Sequence, residues 1–466
     1  MSADSAATPK DIAAAIWRDA GGAEAALSHL GITGSEPVLP SVFRVDAAAG
    51  ATIGLAGLAA ADFHRVRAGA MQQVSVDLAH AAASFLSESQ LYVNDGAQPL
   101  KWKSISGYYQ AGDGRWLQLH CNFPHFRDGV LRVLGCDEDR AAVAGAVARW
   151  DGAVLEQKLI DEGLAAAMMR SLEEWESHPQ AAALKAQPLI SIDKIGDAPA
   201  EVPGRRGGPL AGIRVLDLSR VIAGPVCGRT LAGFGADVIR ISSPDLPYIE
   251  DCVIATGFGK YAAHVDLRTE DGRAALCNLV HNADVFLQAY RPDSIAAKGF
   301  AAEQLAEQRP GIVYVELCAF GWDGPWAGRR GYDSIVQTTT GIADEGMRVY
   351  GAHRPTPLPC QALDHATGYL AAFGAITALR RRAERGGSWR VRVSLAQTRN
   401  WLLGLGRSPK PEIPMPGEAD FDPYFDRMES AFGGLKYVSP AMQLSATPPL
   451  WERPPPPLGI HPAVWP

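Results

Sequence analysis

Residues 208–242 read GPLAGIRVLDLSRVIAGPVCGRTLAGFGADVIRIS, and this stretch decides the fold class. Its segment IRVLDL (213–218) is short and apolar with little polar alternation, the pattern of a parallel strand covered on both faces. A loop over 219–225 feeds a small-residue helix ending near 233–235, and DVIRI from Asp237 starts a second strand. The stretch predicts one βαβ unit of an open parallel sheet, whose ligands bind at the carboxyl ends of the strands. Neither GxGxxG nor the spacing and lysine of a P-loop is present, which argues against a dinucleotide or nucleoside triphosphate site.

Four further stretches follow in order: GFGKYAAHVDLR (257–268), ADVFLQAYRP (283–292), IVYVELCAFGWDGP (312–325) and RGYDSIVQ (330–337). Taken with the first, they resemble the ordered motifs of the family III CoA-transferases, the group that includes formyl-CoA transferase, the carnitine-CoA transferases and α-methylacyl-CoA racemase. The resemblance implies an α/β fold with a Rossmann-like parallel-sheet large domain and a second, smaller α+β domain. It also implies acyl-CoA and a small carboxylic acid as substrates, with no permanently bound cofactor.

The first half carries a related module. Asp46 and Gly50, a small-residue helix to about His64 and the strand-like QVSVDL (73–78) parallel Asp364 and Gly368, a helix to about Arg382 and RVRVSL (390–395), all near one offset of 318. Residues 106–120 are similar to the entry of the family's small domain, residues 121–195 are helical by period, and 445–450 with 457–461 resemble its closing segment. A truncated or permuted tandem accounts for this order. The expected divisions are a leader over 1–39, a partial large-domain segment over 40–100, the small domain over 101–197, a Pro/Gly-rich linker over 198–209, the Rossmann-like CoA-binding domain over 210–401 and an extended closing segment over 402–466. The proline run 454–457 reads as part of that strap.

In the family an aspartate attacks the acyl-CoA thioester, and its motif position falls on Asp364. From the residues alone, an aspartate opening a helix reads first as an N-cap, and the family position reverses that preference for Asp364. The helix start is expected to keep the carboxylate ionised and to aim N–H groups at an oxyanion. For Asp46 the capping reading leads, because no intact Rossmann half precedes it. The resemblance places the CoA contacts at Val221, Ile222, Lys260, Tyr290 and Arg291, with Arg330 and Tyr332 beside them. Arginine and lysine suit phosphate by charge, and arginine also by its fork. Departures from the family pattern occur at Ala289, Tyr261 and Ser242-Ser243. Tyr332 stands where the racemase branch has histidine, and a phenol near its ordinary pKa of ~10 is a poor base, which favours transfer over racemisation. His365, next to Asp364, is expected to point away from it. The turn NDGAQP (94–99) is a reduced equivalent of a family lid or an ordinary turn. A CoA-linked isomerase and a non-catalytic CoA-binding or subunit protein are the alternative functions.

Composition bounds the rest. A chain of 466 residues with 47% hydrophobic content can bury large cores, and a net charge of −7 argues against a nucleic-acid surface. Seven cysteines without CxxC pairs suit a reducing cytoplasm. No signal pattern is evident and no apolar run approaches the ~18 residues of a membrane span, so a cytoplasmic location is expected. His64, His80, His120 and His125 lack metal-ligand spacing, and Trp102 and Trp116 read as packing residues. A homodimer and a separate partner subunit are both open.

Overall fold

A computed structural model describes residues 6–97, 104–202, 204 and 207–466. The readings made at residues 98 and 99, at Trp102, at the 100/101 division and at positions 203, 205 and 206 of the linker lie outside the described residues. The elements that build the site are, in chain order, β1 (Leu30–Thr33), α1 (Val45–Ala68), β2 (Val74–Asp77), α2 (Leu78–Ser84), β3 (Ile190–Gly196), β4 (Arg214–Leu218), α3 (Ala223–Gly233) and β5 (Asp237–Ser242). They continue with β6 (Lys260–His264), β7 (Val285–Gln288), β8 (Val313–Cys318), α4 (Asp333–Thr339), α5 (Ala362–Arg385), β9 (Ser388–Ser394), α6 (Leu395–Gly404) and β10 (Met442–Leu444).

The opening stretch folds as the expected βαβ unit, β4–α3–β5. Both strands are apolar on two faces because each face is covered. Val215 and Val238 pack toward the helical core that contains the long helices, while Leu216 and Ile239 join a second cluster with Phe286 and Leu305. The large sheet runs β6-β5-β4-β7-β8-β9-β3, parallel throughout except for β3, which is antiparallel to β9. Strand order therefore reverses at β4, and the neighbouring carboxyl ends of β4 and β7 form the crevice where such sheets place ligands.

A smaller sheet, β1-β2-β10, repeats the same local pattern. β1 and β2 are parallel, and β10 closes antiparallel on β2 as β3 closes on β9. The two closing strands are exchanged between halves. β3 follows the small domain of the first half yet completes the sheet of the second, and β10 lies near the carboxyl end of the chain yet completes the sheet of the first. Between the sheets, α1 and α5, each 24 residues long, pack against one another. Helix α1 is long and apolar enough to cross a membrane, which the run-length reading did not flag, but its most apolar window is wholly buried in the protein. It is also all small residues and leucine over its middle, as a core helix between two layers requires.

The small domain pairs Gly107–Gln110, Trp116–Leu119 and Ala166–Met168 antiparallel. Over them pack Pro124–Leu134, Arg140–Val147 and Gly152–Asp161, around Leu117, Phe126, Val143 and Leu155. The carboxyl tail straps the exposed edge of the large sheet, with Gly259 N–H donating to Arg453 O at 2.9 Å and His461 N–H to Ala262 O at 2.9 Å. That covers the open row of backbone groups on β6.

Candidate active site

At the strand-order reversal, loops leaving β4, β7 and β8 enclose a cleft of about 350 Å³. The loop from β4 is held in an unusual shape: Val221 has φ +67°, a left-handed conformation that a β-branched side chain adopts only under constraint. This turn brings the start of α3 to the cleft. The N-cap position of α3 is Ile222, which has no capping side chain, so Ala223 and Gly224 line the cleft at an uncapped helix start.

Of the sequence-derived site residues, Val221, Ile222, Tyr290, Arg291, Arg330, Tyr332 and Asp364 all line this one cleft. Lys260 is a correction. Its ammonium is buried at 1% exposure beneath α3, donating to Asp217 Oδ2 at 2.7 Å and to Pro225 O at 2.8 Å. The charge is thus used inside the sheet layer and does not reach the cleft. In its place the structure brings Arg220, which sequence reading passed over. Arg220 donates to the Pro247 carbonyl and lies 5.2 Å over the Phe123 ring of the small domain, as Arg330 lies 5.5 Å over Phe126. The same aromatic group seats Tyr332, stacked on His120 at 4.1 Å and 6°. Burial pushes the Tyr332 phenol up to about 12 and holds the His120 imidazole down to about 4, so both are neutral near pH 7.

Asp364 is the only carboxylate among the described residues lining the cleft. It sits on the third residue of α5, inside the first turn rather than at the cap. The capping role belongs to Asp333, whose buried carboxylate accepts the Asp364 N–H at 2.9 Å and also the Leu363 N–H. Gln337 in turn donates to Asp333 and accepts the Leu358 N–H at 2.7 Å. Because Asp333 takes the first-turn donors, two expectations are corrected: those N–H groups do not face an oxyanion, and they do not keep Asp364 ionised. Burial, then the neighbouring charges of Asp333 and Glu88, push the Asp364 carboxyl well above the usual range. Burial raises Asp333 as well.

In the first half, Asp46 occupies the equivalent helical turn in different surroundings. Its carboxylate accepts Val38 N–H at 2.7 Å and Leu39 N–H at 3.2 Å, tying down the loop in front of α1 rather than capping the helix. Burial raises it to about 6. His365 turns away from the cleft onto Phe85 and Glu88. Asn94 and Asp95 form a left-handed turn between Tyr92–Val93 and Gly96–Ala97, which pair with each other, and Tyr92–Val93 pairs on its other side with the hairpin strand Gly433–Val438. Among the described residues no group of three histidine, cysteine or acidic side chains is placed to hold a metal ion.

Residues 16–201 and again 210–405 match the family described as CoA-transferase family III. An acyl-CoA transferase of Gibberella moniliformis is 32% identical over 322 residues, which is 64% of this chain and 56% of that protein. A succinate–glutarate CoA-transferase of Agrobacterium fabrum is 36% identical over 160 residues, 30% of this chain and 40% of that one. The crystal structure of a CAIB/BAIF family protein from Brucella suis is 28% identical, covers 49% of this chain and 65% of its own, and has a TM-score of 0.37. The chain spans about half the length of the curated relatives it matches.

Proposed function

The chain belongs to CoA-transferase family III, and on that premise we propose that it moves CoA from an acyl-CoA to a carboxylic acid through a covalent Asp364 intermediate. The observation that carries the reading is the position of Asp364, a lone carboxylate in a cleft at the sheet's strand-order reversal that is also lined by Arg220, Arg291 and Arg330. The ionised Asp364 attacks the thioester carbonyl and the C–S bond breaks, giving a mixed anhydride and CoA thiolate. The thiolate then attacks the aspartyl carbonyl, releasing the donor acid and leaving an aspartyl-CoA thioester. An acceptor carboxylate repeats the two steps in reverse, and Asp364 is restored. The thioester bond energy is conserved because water takes no part.

The free N–H groups at the start of α3, Ala223 and Gly224, are the donors proposed for the tetrahedral oxyanions. Neutral Tyr332 donates alongside them. A second hollow of about 320 Å³, which shares Leu218, Leu246, Tyr290 and Ser294 with the cleft, extends past Ser242, Ser243 and Lys298. It is the proposed seat of the nucleotide end of CoA, with the pantetheine arm reaching from it to Asp364. Racemisation needs a base opposite the substrate α-carbon, and a phenol raised to about 12 is not one at neutral pH.

The test is exchange of isotope-labelled acids into a panel of acyl-CoA thioesters, with α-proton exchange followed in the same samples. Label exchange that depends on an acceptor acid supports transfer. Proton exchange without an acceptor contradicts it in favour of isomerisation, and neither exchange with any donor contradicts both.

A further inference from the structure

Glu88 follows α2 in the first half, yet its carboxylate lies against the second long helix. Its Oε2 is 2.8 Å from His365 Nε2, with both side chains almost wholly buried. Phe85 stacks on His365 at 5.3 Å and on Tyr369 at 6.2 Å, and Ser87 accepts from Arg229 at 3.3 Å, so the whole 85–88 turn is docked on α5 and α3. His365 Nδ1 is buried without a partner among the described residues. The Glu88 carboxylate thus lies against the residue next to Asp364.

We propose that Glu88, delivered by the first half of the chain, is a positioning residue for Asp364: it fixes the His365 ring, and with it the first turn of α5. The Glu88 carboxylate, set beside that turn, also opposes ionisation of Asp364. The inference rests on the reading of Asp364 as the nucleophile. Its chemical sense is that a carboxylate disfavoured as an anion is the more reactive one once ionised. The other titratable groups facing this turn are Asp333 from α4, Tyr332 before it, Cys252 from the helix Glu250–Gly257 and Cys360 ahead of α5, with Arg220, Arg291 and Arg330 across the cleft. Burial keeps the two thiols and the phenol neutral, so Glu88 and Asp333 are the like charges that act on Asp364.

The experiment is acid-quenched intact mass measurement of the aspartyl-CoA adduct, timed after mixing with an active acyl-CoA donor, across pH. Glu88→Gln keeps an acceptor for His365 without the charge. Glu88→Met is apolar and of the same length, and it makes the same prediction for the pH onset should the amide be poorly accommodated. In either variant the pH of half-maximal adduct formation should fall by about one unit, while the plateau rate should fall by about tenfold in Glu88→Met, where the turn loses its anchor, and by clearly less in Glu88→Gln, which keeps the acceptor. Glu88→Asp should keep the wild-type onset while its rate falls. An onset unmoved in neutral variants that melt like the wild type overturns the inference and leaves the nucleophile reading intact. No adduct on the wild type at any pH overturns the nucleophile reading, and this inference with it.

Discussion

Asp364 and Asp46 occupy equivalent turns of equal helices, and their neighbours separate them: one faces a cleft, while the other is spent on Val38 and Leu39. Asp46 therefore predicts a stability effect rather than a kinetic one. Its folded value of about 6 lies above the ordinary 3.8, so between those limits the folded state keeps a proton that the unfolded chain has released. Stability contributed at this site is present below about pH 4 and is lost as pH rises through about 6, by roughly 2–3 kcal/mol. Asp46→Asn has no such loss, so urea melts of variant and wild type should diverge in the variant's favour between pH 4 and 7. A gap that does not change with pH contradicts the assignment. The same scale explains what was legible. Asp364, Tyr332 and Arg330 stand in ordered motifs and could be read directly. The misplacement of Lys260 had a signal in the strand itself, because Asp217 in the middle of a buried RVLDL needs a cationic partner. Arg220 was printed in the opening loop, but its reach into the cleft depends on the turn at Val221. Asp333 and Glu88 act through partners 31 and 277 residues away, which spacing along a chain does not reveal.

At the scale of elements, the βαβ unit, the parallel strands and both long helices were readable, since hydrophobic pattern and small-residue content are local properties. Helix starts were less so: α5 begins two residues before Asp364 because Asp333 caps it from another element. The close approach of α5 to α3 is set by Gly368, where an added Cβ would lie 2.5 Å from Ala223 O and 2.9 Å from Val226 Cβ. At the matching Gly50 the nearest atom is the end of the Leu78 side chain, also at 2.5 Å, with nothing else inside 3.4 Å. Backbone does not yield and a leucine tip does. Gly368→Ala should cost about 1–3 kcal/mol and lower turnover by moving the cleft loop, while Gly50→Ala should cost clearly less and leave turnover unchanged. Thermal melts and steady-state rates of the two variants check this, and equal losses contradict it.

Across the whole molecule, the exchange of closing strands makes each half incomplete. β3 belongs in sequence to the first half and in space to the second, β10 the reverse, and α1 against α5 joins them. Two fragments cut between residues 202 and 207 should misfold when expressed singly and co-purify as a one-to-one pair when expressed together. Stable single fragments contradict that interdependence. This exchange was not legible in the sequence, because strand pairing across about 200 and about 370 residues leaves no periodic trace; only the repeated module hinted at it. For the proposed function the consequence is one site served by both halves, with the first half lending Glu88 and the aromatic wall of the small domain to the second. Intact-mass measurement after incubation with acyl-CoA donors, with hydroxylamine to discharge the adduct, tests this most directly on the wild type, Asp364→Asn and Asp46→Asn. One hydroxylamine-sensitive CoA adduct per chain, kept in Asp46→Asn and lost in Asp364→Asn, is the predicted result; an adduct that survives Asp364→Asn, or is lost with Asp46→Asn alone, contradicts it.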